Sequence, residues 1–412
     1  MPSFDVDRLS SGDLMVPLDH SSETRTSAAE QAAADVAEMC RQSLADPLGV
    51  PGLNHCVVPG DQVVIAADPE TPFVNEIIAT VFDHLRNVPG EGVQITLLLP
   101  KDHSGQDWQS LVDSLPVHVR EQAKICIHDP GDQTSISYLA SSAAGERIYV
   151  SRLLTDADLV VSIGLIGYDE ALGYRGTSSS LYPAFSNEDT QQHIQRTAHP
   201  ELTPVQPRPL RELVDEVGWL LGTQFAVQVI PGNSLMPTAI VSGLPDPVLA
   251  RGREVTDATW QVELNKPVEG VVVSVPGGLN FGWQQLGRAL EQVAKLVKPG
   301  GRIVVVADIE TPQGPAASMV RRCREPEELL KPLHREPTID SQEMIQLILT
   351  LRKARVYLFS HMNPETVEEM GMIPITDAAE LRRLVATMGD FRLIPNANFS
   401  WCRISRPVAS AR

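Results

Sequence analysis

Four polar clusters in this sequence stand directly after short apolar runs, where a parallel sheet would present them at one edge. Asp68-Pro69-Glu70-Thr71-Pro72 follows the run from Gln62 to Ala67, and Lys101-Asp102-His103-Ser104-Gly105 follows Val93 to Leu99. His128-Asp129-Pro130 closes the run from Ala123, and the long segment Tyr168 to Ser180 follows Leu159-Val160-Val161-Ser162-Ile163-Gly164. Ligands in open α/β sheets bind outside the carboxyl ends of the strands, so these clusters are candidates for one site. His103 has the side chain for general-base chemistry at neutral pH, with a reference pKa of about 6.5. A solvated loop histidine is the plain alternative, and His128 reads equally well as the cap of a strand.

The stretch Gly173-Tyr174-Arg175-Gly176-Thr177-Ser178-Ser179-Ser180 has the makings of an anion cradle. Gly173 and Gly176 permit close backbone approach, Ser178 and Ser179 offer hydroxyl donors, and Arg175 suits a bidentate pair with phosphate. The stretch matches neither the P-loop nor the dinucleotide fingerprint, and an ordinary glycine–serine loop has the same composition. Gln285 and Arg288, three apart after Pro276-Gly277-Gly278, share a helical face from which they can reach a carboxylate; a solvated face is the alternative. His193 and His199 lie six apart, which does not put both on one helical face, so each is at most a single metal ligand or a surface histidine.

The elements that must position these groups alternate between strand and helix patterns. Strands are expected at Gln62–Ala67, Val93–Leu99, Ala123–His128, Arg147–Val150, Leu159–Gly164, Phe225–Ile230 and Ala239–Val241, with helices at 28–45, 73–86 and 211–221. A second unit opens near Val268, with strands at Gly270–Val275, Ile303–Ala307 and Val356–Ser360 and helices at 283–297, 341–354 and 378–387. The fold class expected is therefore α/β, two domains with mostly parallel sheets covered by helices and an active-site cleft between them. The expected division is a mobile leader at 1–28, an N-terminal α/β domain at 29–262 and a C-terminal α/β domain at 263–405.

Composition narrows the function. Across 412 residues, 34 Lys and Arg face 52 Asp and Glu, a net charge of −18. Such a surface repels phosphate backbones and anionic membranes, so neither nucleic acid nor membrane is an expected partner. The five cysteines are scattered singly, without the spacing of a zinc knuckle or a disulfide framework. The first thirty residues lack the apolar core of a signal peptide, and the longest apolar run is far shorter than the roughly 20 residues of a membrane helix. A cytoplasmic location is expected.

In order and spacing, these pieces resemble the lactate racemase family, the LarA-like nickel-pincer nucleotide enzymes, from about Gly60 to Pro395. Asp68 to Pro72 stands where the family has Asp-x-Thr-Arg-Pro, and Lys101 to Gly105 where it has Gly-Thr-His-Arg-Pro. Ala157-Asp158-Leu159-Val160-Val161-Ser162-Ile163-Gly164 is similar to the family's Ala-Asp-Leu-Val-Ile-x-Ile-Gly. Gly173 and Gly176 stand within its glycine-rich segment, and Gln284 to Leu290 and Lys298 to Gly301 resemble its second-domain helix and turn.

The resemblance implies an isomerase that exchanges the hydroxyl proton of a 2-hydroxy acid while a hydride visits a nickel-pincer nucleotide. It implies His103 as one base, and it puts Asp169 where the family has a second histidine. Gln285 and Arg288 fall at substrate-binding positions, with Arg288 in place of a lysine. Asp68, Thr71, Gly173, Arg175, Gly176, Ser178 and Ser179 fall on the cofactor, and His193 falls near the nickel ligand. Thr71 replaces an arginine. Ser179 stands at or beside the lysine that tethers the cofactor, and a serine cannot form the thioamide link. The expectation is thus a racemase or epimerase holding its nickel cofactor without a covalent tether, or lacking it. The alternative is a non-catalytic or repurposed paralogue that binds a nucleotide or small carboxylic acid in the same cleft.

Overall fold

The computed structural model describes residues 22–86, 92–101, 108–194, 202–232, 236–275, 282–307, 309–338 and 340–405. The chain divides into two compact units at Thr259/Trp260. In the N-terminal unit the strands are β1 (Gln62–Ala67), β2 (Gln94–Pro100), β3 (Lys124–His128), β4 (Ile136–Ser141), β5 (Arg147–Ser151), β6 (Leu159–Leu165), β7 (Gly167–Asp169), β8 (Gly173–Arg175), β9 (Phe225–Ile230) and β10 (Ala239–Gly243). Six of them form one sheet in the order β10-β9-β6-β1-β2-β3, parallel except for the antiparallel edge strand β10. β4 pairs with β5, and β7 with β8, as separate antiparallel pairs.

Every residue of β6 and of β9 is buried, as a strand covered on both faces requires. Helix Val74–Arg86 repeats its apolar residues at helical spacing, Val74, Ile77, Ile78, Val81, Phe82 and Leu85, and lays them against Val63, Ile65, Leu97 and Val161. Each such side chain contributes about 1.5–3 kcal/mol by burial. Val64, Ala66, Leu98 and Val160 point to the other face, where Leu154, Leu181 and Phe185 cover them.

The C-terminal unit holds β11 (Gln261–Leu264), β12 (Val268–Val275), β13 (Val297–Ala307), β14 (Ala354–Phe359), β15 (Ile373–Ile375), β16 (Phe391–Ile394) and β17 (Trp401–Ile404). Its main sheet is all parallel in the order β15-β14-β13-β12-β16, with β11 and β17 paired beside it. Helix Trp283–Ala294 packs Leu286, Ala289, Leu290 and Val293 against Val271, Val273, Ile303 and Val305, and helix Ser341–Lys353 adds Met344, Leu347 and Ile348.

Both sheets share one topological feature that decides where ligands go. In the first, the chain steps from β1 outward through β2 and β3, then returns to the other side of β1 as β6. In the second it steps from β12 through β13, β14 and β15, then returns beside β12 as β16. The crevices at the carboxyl ends of β1/β6 and β12/β16 are the switch points where open α/β sheets take ligands.

Helix Pro245–Trp260 lies in a stretch for which the sequence suggested no element. Its prolines stand in the first turn, where no helical N–H is lost. Gly252 lies where a Cβ would come within 2.1 Å of Ile166 Cδ1, so a mid-helix glycine here serves close packing. No described helix is long and apolar enough to cross a membrane.

Candidate functional site

At the end of β1 the backbone turns through Asp68. Its N–H donates to the Ile163 carbonyl of β6 (2.9 Å), and its own carbonyl accepts from Thr71 N–H (3.0 Å). The β7–β8 hairpin, which follows β6, brings Arg175 onto this turn. Arg175 Nη2 meets Asp68 Oδ2 at 2.5 Å and Nη1 meets Glu70 Oε2 at 2.8 Å. The three side chains are only 15%, 16% and 27% exposed, respectively for Arg175, Asp68 and Glu70. Burial works against the Arg175 charge, but Asp68, then Glu70 and Asp169 hold its pKa above the ordinary guanidinium value. One planar fork shared by two carboxylates is strong in geometry and charge.

Asp169, at the tip of β7, uses Oδ1 to accept the N–H groups of Ala171 and Leu172, each at 2.9 Å. Its Oδ2 has no hydrogen-bond partner among the described residues. The hairpin is anchored from behind by Tyr168 and Tyr174, whose hydroxyls both donate to Asp257 Oδ1 at 2.6 and 2.8 Å. Burial and then Asp257 raise the Tyr174 phenol further above its ordinary value, so it stays a donor. Arg211 adds bonds to the carbonyls of Tyr174 (3.3 Å) and Gly176 (3.4 Å).

The loop after β8, whose composition suggested an anion cradle or an ordinary glycine–serine loop, packs against groups of the chain itself. Gly173 (φ +76°) is required because a Cβ would stand 2.3 Å from the Pro204 carbonyl oxygen, and Gly176 (φ +123°) because one would stand 2.5 Å from Ile166 Cγ1. The close approach is made by the chain itself. Thr177 N–H donates to Oε1 of Gln228 (2.9 Å), a fully buried glutamine of β9. Ser178 is buried with its hydroxyl against Gly218. The Ser179 hydroxyl accepts Gly176 N–H (2.6 Å) and donates to the Gly176 carbonyl (3.2 Å). Arg175, expected on a phosphate, is engaged by Asp68 and Glu70, and Thr71 is buried with no partner for Oγ1 among the described residues.

This packing gives a direct test. A Cβ at position 218 would come within 2.1 Å of Ser178 Oγ, so Gly218→Ala should destabilise the protein by about 1–3 kcal/mol through overpacking. Urea unfolding of the variant checks it; an unchanged midpoint would show that the loop gives way freely.

In the C-terminal unit, Gln285 and Arg288 lie on the first turns of helix Trp283–Ala294. Gln285 is buried, and its Oε1 accepts from Asn398 Nδ2 at 3.2 Å. Arg288 is half-buried and lies in the field of Glu343 on helix Ser341–Lys353. His103 lies outside the described residues. His193 falls in helix Glu188–Ile194, but its side chain is likewise outside them. Of the candidates, then, Asp68, Arg175 and Asp169 come together in one unit, and Gln285 and Arg288 in the other. Sequence reasoning left out Gln228, Asp257 and Asn398; only Gln228, one polar residue inside the apolar strand FAVQVI, carried a signal.

A family model, the lactate racemase N-terminal domain, matches residues 10–202. The lactate racemase of Thermoanaerobacterium thermosaccharolyticum is 19% identical over 373 residues, covering 85% of this chain and 86% of that one. The chain is thus similar to lactate racemase, through this domain and over most of its length. The solved lactate racemase apoprotein from the same organism superposes with a TM-score of 0.70 at 16% identity, over 90% of this chain and 93% of that one. A Thermotoga maritima protein of known structure gives 0.62 at 13% identity, over 91% and 98%.

The nickel-pincer nucleotide implied by lactate racemase resemblance can be tested against these residues. Its covalent form needs an amine, and Ser179 offers a hydroxyl already held at both ends by Gly176. The glycines that would admit its phosphate are filled by Pro204 and Ile166. On the placement that the resemblance gives Ser179, the described residues do not fit the tethered form of the group.

Proposed function

We propose that this protein is an isomerase of the lactate racemase type, acting on a small 2-hydroxy acid in the cytoplasm. The observation that carries the reading is the pairing of a guanidinium and an amide, Arg288 and Gln285, on the opening turns of the helix that follows β12. Arg288 pairs with the substrate carboxylate, and Gln285 adds a hydrogen bond that fixes its orientation. His103 and Asp169 take and return the hydroxyl proton, Asp169 through the Oδ2 atom that its turn leaves over. When bound, a nickel-pincer nucleotide supplies a hydride acceptor; we assign it here no covalent link.

The reading is tested by incubating the protein, produced with and without nickel and the cofactor pathway, with single enantiomers of lactate and other 2-hydroxy acids. Appearance of the opposite enantiomer supports it. Intact mass after denaturation should equal that of the unmodified chain, and an adduct within Gly173–Ser180 would overturn the untethered assignment. A second reading, a non-catalytic paralogue binding a nucleotide or small carboxylic acid, draws on the Ser179 hydroxyl turned inward where a tether is needed. Binding without turnover of any acid would favour it.

A further inference from the structure

We infer that Asn398 is a positioning residue that holds the Gln285 amide with its NH₂ group outward, making Gln285 a donor to a ligand oxygen. The inference deepens the proposed function and rests on its assignment of Gln285 to the substrate.

The argument begins with the second switch point. After β16 the chain reverses through Asn396, in the left-handed region at φ +49°, ψ +48°, and its N–H donates to Ser274 Oγ (3.0 Å) near the end of β12. That bond delivers the short turn Ala397–Phe399 to the opening of helix Trp283–Ala294. There Asn398 and Gln285, 7% and 4% exposed, form their amide–amide bond. Seven residues along the same helix, Gln292 Oε1 accepts Cys402 N–H at 3.2 Å. Two glutamines on one helical face thus fix the segment 397–402 at both ends.

The chemistry follows from which atom is used. A primary amide has one acceptor oxygen and two N–H donors. With Oε1 of Gln285 occupied by Asn398, its Nε2 keeps both hydrogens without a partner among the described residues. Arg288, one turn on, carries only donors. A ligand meeting both must present acceptor oxygens: a carboxylate, with or without a neighbouring hydroxyl. Were the amide reversed, its carbonyl would face the ligand and repel that carboxylate. Asn398 therefore sets the sign of recognition without touching the ligand.

The test uses the full chain, lactate as probe, and ¹⁵N signals of the glutamine side chains, with Gln285→Leu assigning the Gln285 pair. Asn398→Asp keeps the shape but accepts where asparagine donates, which turns the Gln285 amide round; Asn398→Leu removes the bond without burying a charge. Both variants should move the Gln285 NH₂ signals and weaken lactate binding about tenfold, and combining Asn398→Leu with Gln285→Leu should add little to either alone. Unmoved signals with wild-type affinity, in variants shown folded by their thermal transitions, overturn the inference, because a merely structural asparagine would change only stability. Should the wild-type chain bind neither lactate nor another 2-hydroxy acid, the proposed function falls, and the amide signals alone still decide whether Asn398 holds Gln285.

Discussion

Arg175→Ala is expected to destabilise the N-terminal unit by about 2–4 kcal/mol, because it leaves Asp68 and Glu70 without their cation in a largely buried setting. Removing one partner of a buried pair costs more than the pair itself contributes, since the remaining charge must be resolvated or protonated. Burial, opposed by Arg175, already raises Asp68 above the usual carboxylate range, so the variant should take up a proton there more readily. Arg175→Lys should recover only part of the loss, since one ammonium cannot reproduce a fork aimed at two carboxylates. Adding Glu70→Gln to Arg175→Ala should restore part of the stability by removing one of the two unpaired charges. Urea unfolding at neutral pH and at two salt concentrations measures this, and a loss below about 0.5 kcal/mol would mean that the three side chains are solvated independently.

Much of the fold was legible because burial on both faces writes strands as continuous apolar runs. QVVIAA and FAVQVI were read with their boundaries, and helix Val74–Arg86 announced itself by its period. Helix Pro245–Trp260 was not read from the sequence: it carries two prolines and a glycine at its start and middle, and its close contact with Ile166 lies far off in sequence. The β7–β8 pair is three residues a side, too short to show alternation.

The candidate site was legible by residue type but not by partner. Gly173, Gly176, Ser178 and Ser179 have the composition of an anion cradle, yet the same composition is needed where Pro204, Ile166 and Gly218 press against the loop. Arg175 was read as free to meet a phosphate because Asp68 and Glu70 are 107 and 105 residues away in the chain. Gln285 was placed on its helix by period alone. That its carbonyl is occupied depends on Asn398, 113 residues on, at the end of a crossover that no local pattern encodes.

The C-terminal unit should lose stability as pH rises from about 5 to 8, and Glu343→Gln should abolish most of that loss. Helices Trp283–Ala294 and Ser341–Lys353 approach closely at Gly287, where a Cβ would stand 3.0 Å from Glu343 Cα and 2.3 Å from Gln346 Oε1. That approach dries the Glu343 carboxyl. Burial is the main cause raising its pKa from 4.5 to about 7; Asp340 adds to the rise and Arg288 opposes it. Because the folded-state pKa lies above the unfolded one, the stabilising contribution is complete below the unfolded value and disappears as pH climbs through about 7. A shift of this size corresponds to about 1–3 kcal/mol once residual solvent screening is allowed for, and Glu343→Gln should be more stable than wild type by that amount at pH 8. Arg288→Ala should act in the opposite sense, moving the wild-type midpoint upward by removing the nearby cation. Unfolding free energies measured across this pH range on the three chains provide the check, and an identical pH slope in Glu343→Gln would assign the titration to another group.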